Sequence, residues 1–265
     1  MKNLLFIRAA FSLFVLFSSQ ANAQAMSPAM HELCARAETA TFTPLPASLS
    51  SPHPDPLYRA IEMGAGKKEV KALLGNRHPD SIVINQLTPL AAAALVGNWP
   101  AAQALIENGS DVNYSGPLES VTPLMAALFT PNYKIACKLI SSKGKLPTAK
   151  AEKVHLFSLA RVSEPSAHGD AAVFVEFLLT NGFDANDDGG RTETPLMGAV
   201  SLSNVPVIKV LLKYGARLDA VTKDGRTVWT VAEKKNNPEV LKILNDAQKR
   251  AATSMKRGAA ELPSR

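Results

Sequence analysis

The sequence predicts an all-α solenoid, a row of stacked helix-turn-helix units with projecting β-turns or hairpin loops. Three observations predict it. The tripeptide Thr-Pro-Leu recurs at Thr88-Pro89-Leu90, Thr122-Pro123-Leu124 and Thr194-Pro195-Leu196. Paired aliphatics recur in step with it: Leu73-Leu74, Leu105-Ile106, Leu139-Ile140, Leu178-Leu179, Leu211-Leu212 and Ile243-Leu244. A glycine follows several of these pairs at fixed distance, as Gly109, Gly182 and Gly215. Self-similarity at a period of about 33 residues means a repeat architecture, because one short unit cannot bury its own apolar face.

The chain opens on a different pattern. Lys2 and Arg8 flank a short basic region, an apolar run extends from Ala9 to Phe17, and Ala21-Asn22-Ala23 follows. A basic start, a short apolar core and small residues before the cut form a secretory signal peptide, so 1–23 is expected to be removed after Ala23. The apolar run is about half the length of a membrane span. Cleavage at that site suits export to a bacterial periplasm. Residues 24–54 follow as an extension, broken by Pro28, Pro44, Pro46, Pro52 and Pro54, in which only Ala29 to Thr39 suits a short helix.

Within the repeats each residue type has a physical reason. Threonine before proline caps a helix, and proline in the first turn loses no needed hydrogen bond. The leucine after it and the later aliphatic pair lie on one helical face. Asn108-Gly109 and Asn181-Gly182 suit a helix end that needs a left-handed residue.

These residues resemble the ankyrin repeat. The strongest unit runs from Thr194-Pro195-Leu196 through Leu211-Leu212, Gly215-Ala216 and Asp219-Ala220 to Lys223-Asp224-Gly225-Arg226-Thr227. The resemblance divides 55–250 into six units, at 55–87, 88–121, 122–154, 155–193, 194–226 and 227–250. Several units depart from the pattern. Asp55-Pro56-Leu57 replaces the tripeptide in the first, where the linker Asn76 to Ile84 is irregular. In the third, Pro131 replaces the mid-unit glycine and Lys143-Gly144 places the closing glycine one residue late. The fourth has His155-Leu156-Phe157 and an insertion from Val162 to Gly169, a loop that could contact a partner. The sixth lacks the closing glycine, as a terminal cap does, and 251–265 reads as a basic flexible tail.

Charge narrows the function classes. The net charge is +6 and the pI is about 9.3, which invites a nucleic-acid or anionic-membrane reading. Removing Lys2 and Arg8 with the signal segment leaves +4, of which the last twenty residues hold +3 and residues 24–245 only +1. The folded array is nearly neutral, so neither nucleic acid nor an integral membrane span is expected. Binding of an anionic surface through the basic tail stays as the alternative.

Motifs for chemistry are weak. His31, His53, His78, His155 and His168 lack the spacing of metal ligands. Gly64-Ala65-Gly66-Lys67 lacks the rest of a phosphate loop, and Ser142-Lys143-Gly144-Lys145 lacks the companions of a catalytic Ser-x-x-Lys. His155, Ser166 and His168 are a faint hint of a hydrolase. No catalytic residue, cofactor or metal is expected.

The resemblance implies binding of a protein partner through turn tips and first helices along one concave face. Carried onto this chain, the tips supply Leu87, Val121, Arg191, Glu193 and Arg226, and the first helices supply Leu95, Val96, Phe129, Thr130, Ser201, Leu202, Lys234 and Lys235. Its apolar members either greet a partner or pack on the next unit or on the N-terminal extension. The resemblance also puts Cys137 at a position that is usually polar and exposed, where Cys34 from the extension can reach it or both can stay free thiols. The expected role is a non-catalytic periplasmic interaction module that scaffolds, protects or inhibits, including immunity against a toxin. We expect Phe129→Asp and Leu202→Asp to keep the fold and abolish partner pull-down; normal binding by both folded variants would remove that face from consideration.

Overall fold

Thr88, Thr122 and Thr194 hold extended backbone (φ −78°, −73° and −75°) and accept hydrogen bonds from the amides of Ala91, Met125 and Met197 at 3.1, 3.2 and 3.3 Å. Each threonine therefore starts a helix at the proline that follows it. The computed structural model describes residues 26–39, 55–84, 87–117, 121–130, 132–146, 167–187 and 193–260, and these starts open the second, third and fifth units. Helix α1 (Pro28–Thr39) precedes the array. The first unit holds α2 (Pro56–Glu62) and α3 (Lys67–Leu74), and the second α4 (Pro89–Val96) and α5 (Trp99–Glu107). The third holds α6 (Pro123–Phe129) and α7 (Tyr133–Ser141), and the fourth contributes its second helix, α8 (His168–Thr180). The fifth holds α9 (Pro195–Ser201) and α10 (Val205–Lys213), and the sixth α11 (Val228–Lys235) and α12 (Pro238–Ala260). No strand occurs among the described residues; the loops form isolated antiparallel bridges at Ile84–Leu87 and Val221–Thr227.

First helices pack on first helices, α2 on α4 on α6 and α9 on α11, while second helices run alongside as α3, α5 and α7 and again as α8 and α10. Helix α4 shows what this demands. Pro89, Leu90 and Ala91 to Ala94 are all buried, because α2, α6 and α5 close on it from three sides. Alanine lets the backbones approach where a larger side chain would hold them apart.

Polar side chains stitch one unit to the next. Asn98 is fully buried; its Oδ1 accepts from the Ala101 amide and caps α5, while its Nδ2 donates to the carbonyls of Ile61 and Ala65 in the unit before, at 2.9 and 3.2 Å. Asn113 Oδ1 accepts from the Lys145 amide at 2.6 Å, and Asn186 Oδ1 from the Arg217 amide at 2.8 Å. In the irregular linker of the first unit, Asp80 takes the same role toward the Asp111 amide at 2.8 Å, from a one-turn 3-10 helix over Pro79–Ser81. His78 caps that turn, its Nδ1 accepting from the Asp80 amide.

Three expectations are corrected. The third unit's left-handed residue is Lys143 itself (φ 63°), in register with Gly109 (φ 94°), Gly182 (φ 92°) and Gly215 (φ 84°). Gly144 is not a late closing glycine; it sits where a Cβ would lie 2.7 Å from the Leu139 carbonyl oxygen. At the C-terminus, α12 continues to Ala260, so 251–260 is helical rather than a loose tail. Cys137 is buried rather than exposed, because α1 lies over it. The hinted residues His53, His155 and Ser166 lie outside the described residues, as does most of the insertion; its end, Ala167 to Gly169, begins α8.

We expect Asn98→Ala to destabilise the array by about 3 kcal/mol, the sum of a lost cap and two orphaned carbonyls. Lys143→Gly should stabilise it by about 1 kcal/mol by relieving a left-handed lysine. Urea unfolding of the two variants beside the parent checks both signs.

Candidate functional site: the first-helix face and the α1 clasp

The face expected to bind a partner divides by polarity. Leu87, Leu95, Val96 and Val121 are half-buried and pack against the core, so they serve the stack directly. Leu202 caps α9 in a half-buried position, and the Ser201 hydroxyl beside it is turned back to donate to the Gly198 carbonyl at 2.7 Å. Thr130 is exposed, and its hydroxyl donates to the Leu95 carbonyl of the preceding unit at 2.7 Å. Phe129 ends α6, with its side chain outside the described residues, and Arg191 lies outside them altogether.

Toward the C-terminal end the face carries charge. Arg226 on the last tip pairs with Glu193 of the unit before and with Asp224 in its own turn. The Asp224 carboxyl is held below the usual aspartate range, first by the Thr222 hydroxyl that donates to it and then by Arg226. Lys234 and Lys235 are exposed in the last turn of α11, where the helix dipole favours cations. The structure thus pairs Glu193 with Arg226, sets Lys234 and Lys235 at the far end of the helix that follows, and leaves Thr130 apart on the third unit. A surface of this kind can form directed hydrogen bonds and ion pairs with a protein.

On the opposite side of the array the structure makes a clasp. Helix α1 lies against both α7 and α8, the second helices of the third and fourth units. Ser27 caps it, accepting from the Met30 amide at 3.2 Å, and Met30 and Leu33 are fully buried on one turn. Burial of two such side chains is worth about 3–6 kcal/mol. Cys34 is bonded to Cys137 on α7, with a Cα–Cα distance of 5.4 Å. Arg36 donates to Asp170 on α8 at 2.7 Å. Beneath the clasp Tyr133 stacks on Phe174 with ring centroids 4.9 Å apart, and burial, helped by the Asp170 charge, pushes its phenol well above the usual tyrosine range.

Comparison with known proteins agrees with this geometry. A family model described as ankyrin repeats (3 copies) matches residues 166–253. The ankyrin repeat domain of human ASB11 is similar at 24% identity and a TM-score of 0.53, over 72% of this chain and 83% of that one. An ankyrin repeat domain from Acinetobacter baumannii AYE is similar at 25% identity and a TM-score of 0.53, over 73% of this chain and 97% of that one. The fold is an ankyrin-repeat solenoid. No curated protein matches the chain. The ankyrin repeats matched over 166–253 indicate a protein–protein interaction module.

Among the described residues, no group of three His, Cys, Asp or Glu side chains is placed to hold a metal ion, and no helix is long and apolar enough to cross a membrane. Of the two alternatives the sequence left open for Cys34 and Cys137, the structure shows the bond, and the residues by which α1 docks, Met30, Leu33 and Arg36, are what sequence reading did not name. Their signal was present, since Met30, Leu33, Cys34 and Ala37 follow helical spacing and Ser27-Pro28 is a helix start.

The bond between Cys34 and Cys137 closes a loop of 103 residues. Loop-closure entropy makes it worth about 4–5 kcal/mol at most. We expect Cys34→Ser/Cys137→Ser to lower the unfolding free energy by about 3 kcal/mol and to make α1 the first site of protease cleavage. Mass mapping under non-reducing conditions that found two free thiols in exported protein would refute the clasp.

Proposed function

We propose that the protein is exported to the bacterial periplasm, with cleavage after Ala23, and acts there as a non-catalytic module that binds a partner protein through the concave face of the ankyrin solenoid. The role is that of a scaffold, a protector, or an inhibitor of the immunity kind. The observation that carries the reading is the packing of first helix on first helix, α2 on α4 on α6 and α9 on α11, with Thr130, Arg226, Lys234 and Lys235 exposed. A rigid surface of polar groups loses little entropy on binding, which suits recognition of a folded partner. The signal-peptide pattern supports export, and the Cys34–Cys137 bond suits an oxidising compartment.

Export and the choice of face are tested together. Protein recovered from periplasmic extract should begin at Gln24 by N-terminal sequencing. A photo-crosslinking amino acid at Thr130 or Lys234 should capture a defined partner, while the same group at exposed Lys68 on α3 should not. Retention in the cytoplasm with Met1 in place would refute export, and equal capture from all three positions would refute the face.

A further inference from the structure

A second junction between outer helices resembles the one that α1 fills. Helices α10 and α12 meet only along a short stretch and then diverge, and between them opens a groove of about 1410 Å³. Its floor is apolar, formed by Leu212, Leu218, Trp229, Ile243 and Ala247. Ile243, Ala247 and Ala251 follow one another at helical spacing along α12 and line its wall. The rim is basic, with Lys209, Lys213, Arg217 and Arg250 against Asp219 and Asp246. Lys213 pairs with Glu176 and Arg217 with Asp219, while among the described residues no ion pair engages the exposed Lys209 and Arg250.

We propose that this groove docks an amphipathic helix of a partner protein, apolar on one face and acidic along its flanks. Two observations carry the assignment. The chain itself shows how such a gap is filled: α1, a 12-residue helix, buries Met30 and Leu33 between α7 and α8 and sets Arg36 on Asp170 at the rim. At the α10–α12 gap the floor is again apolar, but the sign of the rim is reversed, so a matching helix carries carboxylates where α1 carries Arg36. Acidic flanks would meet Lys209 and Arg250 and fix the direction of docking. The groove is lined by α10, α12, Trp229 of α11 and the loop before it, and none of Thr130, Arg226, Lys234 and Lys235 lines it, so its failure would leave the proposed function standing.

The test uses the full mature chain with Trp99→Phe, so that Trp229 is the one tryptophan reporting. Two synthetic peptides of the length of α1 carry leucines at i, i+3, i+4 and i+7, one with glutamates on the flanks and one with lysines. The glutamate peptide should shift Trp229 emission saturably and bind at least about tenfold tighter than the lysine peptide. Lys209→Glu/Arg250→Glu changes only exposed side chains and should reverse that preference, and Ile243→Glu should abolish binding with helical content retained. Equal binding of both peptides, no saturable shift, or binding indifferent to the charge reversal would overturn the proposal. So would a concentration-dependent dimer abolished by Lys209→Glu/Arg250→Glu, which would assign the groove to a second copy of the chain.

Discussion

Everything in this molecule depends on the burial of one unit's apolar face by its neighbours. Helix α4 has almost no exposed side and owns no core of its own; its alanines are covered by α2, α5 and α6. Hydrogen bonds follow the same rule. Asn98 satisfies two carbonyls of the preceding unit, and Asp80, Asn113 and Asn186 each accept an amide of the following one. Stability in such a stack is close to a sum of unit terms and interface terms. A defect at one interface therefore weakens a local boundary first, and the boundary with the poorest contact sets the point of failure.

The boundary between the third and fourth units is held in an unusual way. Among the described residues, their second helices, α7 and α8, touch through Tyr133 and Phe174, and α1 packs on both. This helix lies far from α7 in sequence, so without a covalent tie its docking would carry the full entropy of closing a long loop. The Cys34–Cys137 bond removes that cost from the folding equilibrium, and Met30, Leu33 and the Arg36–Asp170 pair fix the orientation. Reduction would leave the apolar contact in place but return the entropy, so the junction is the part of the array whose stability is linked to redox state.

The sequence was informative where one residue type meets one local need. The Thr-Pro-Leu starts, the aliphatic pairs and the closing glycines each answer a backbone or packing demand within a single unit, and the architecture was legible from them. It was less informative where a different residue meets the same need. Lys143 adopts the left-handed conformation usually left to glycine, and Asp80 stands in for an asparagine. Contacts between distant segments were least legible. Nothing local to Ser27–Thr39 says that its apolar stripe belongs on α7 and α8, and nothing local to 251–260 separates a frayed tail from a continuing helix. On the binding face, residue type alone could not distinguish Leu95 and Val96 as partner contacts from Leu95 and Val96 as packing between units, because both uses select an apolar side chain.

That last ambiguity bears on how the two outer surfaces can recognise a protein. On the first-helix face the apolar members of the set, Leu87, Leu95, Val96 and Val121, are already spent on the core. The members described as exposed, Thr130, Arg226, Lys234 and Lys235, are polar or charged, and exposed charges contribute more to the choice and orientation of a partner than to raw affinity. Tight binding there requires a partner that brings its own aromatic or aliphatic anchors to half-buried gaps. The α10–α12 groove has the opposite character, with Trp229, Leu212 and Ile243 on its floor and the charges confined to the rim. An apolar floor inside a polar rim is the arrangement from which binding energy is drawn in protein interfaces. With the two proposed surfaces, selection of a partner by the polar first-helix residues would be separate from retention of a helical segment by the α10–α12 groove, because the two sets of residues do not overlap.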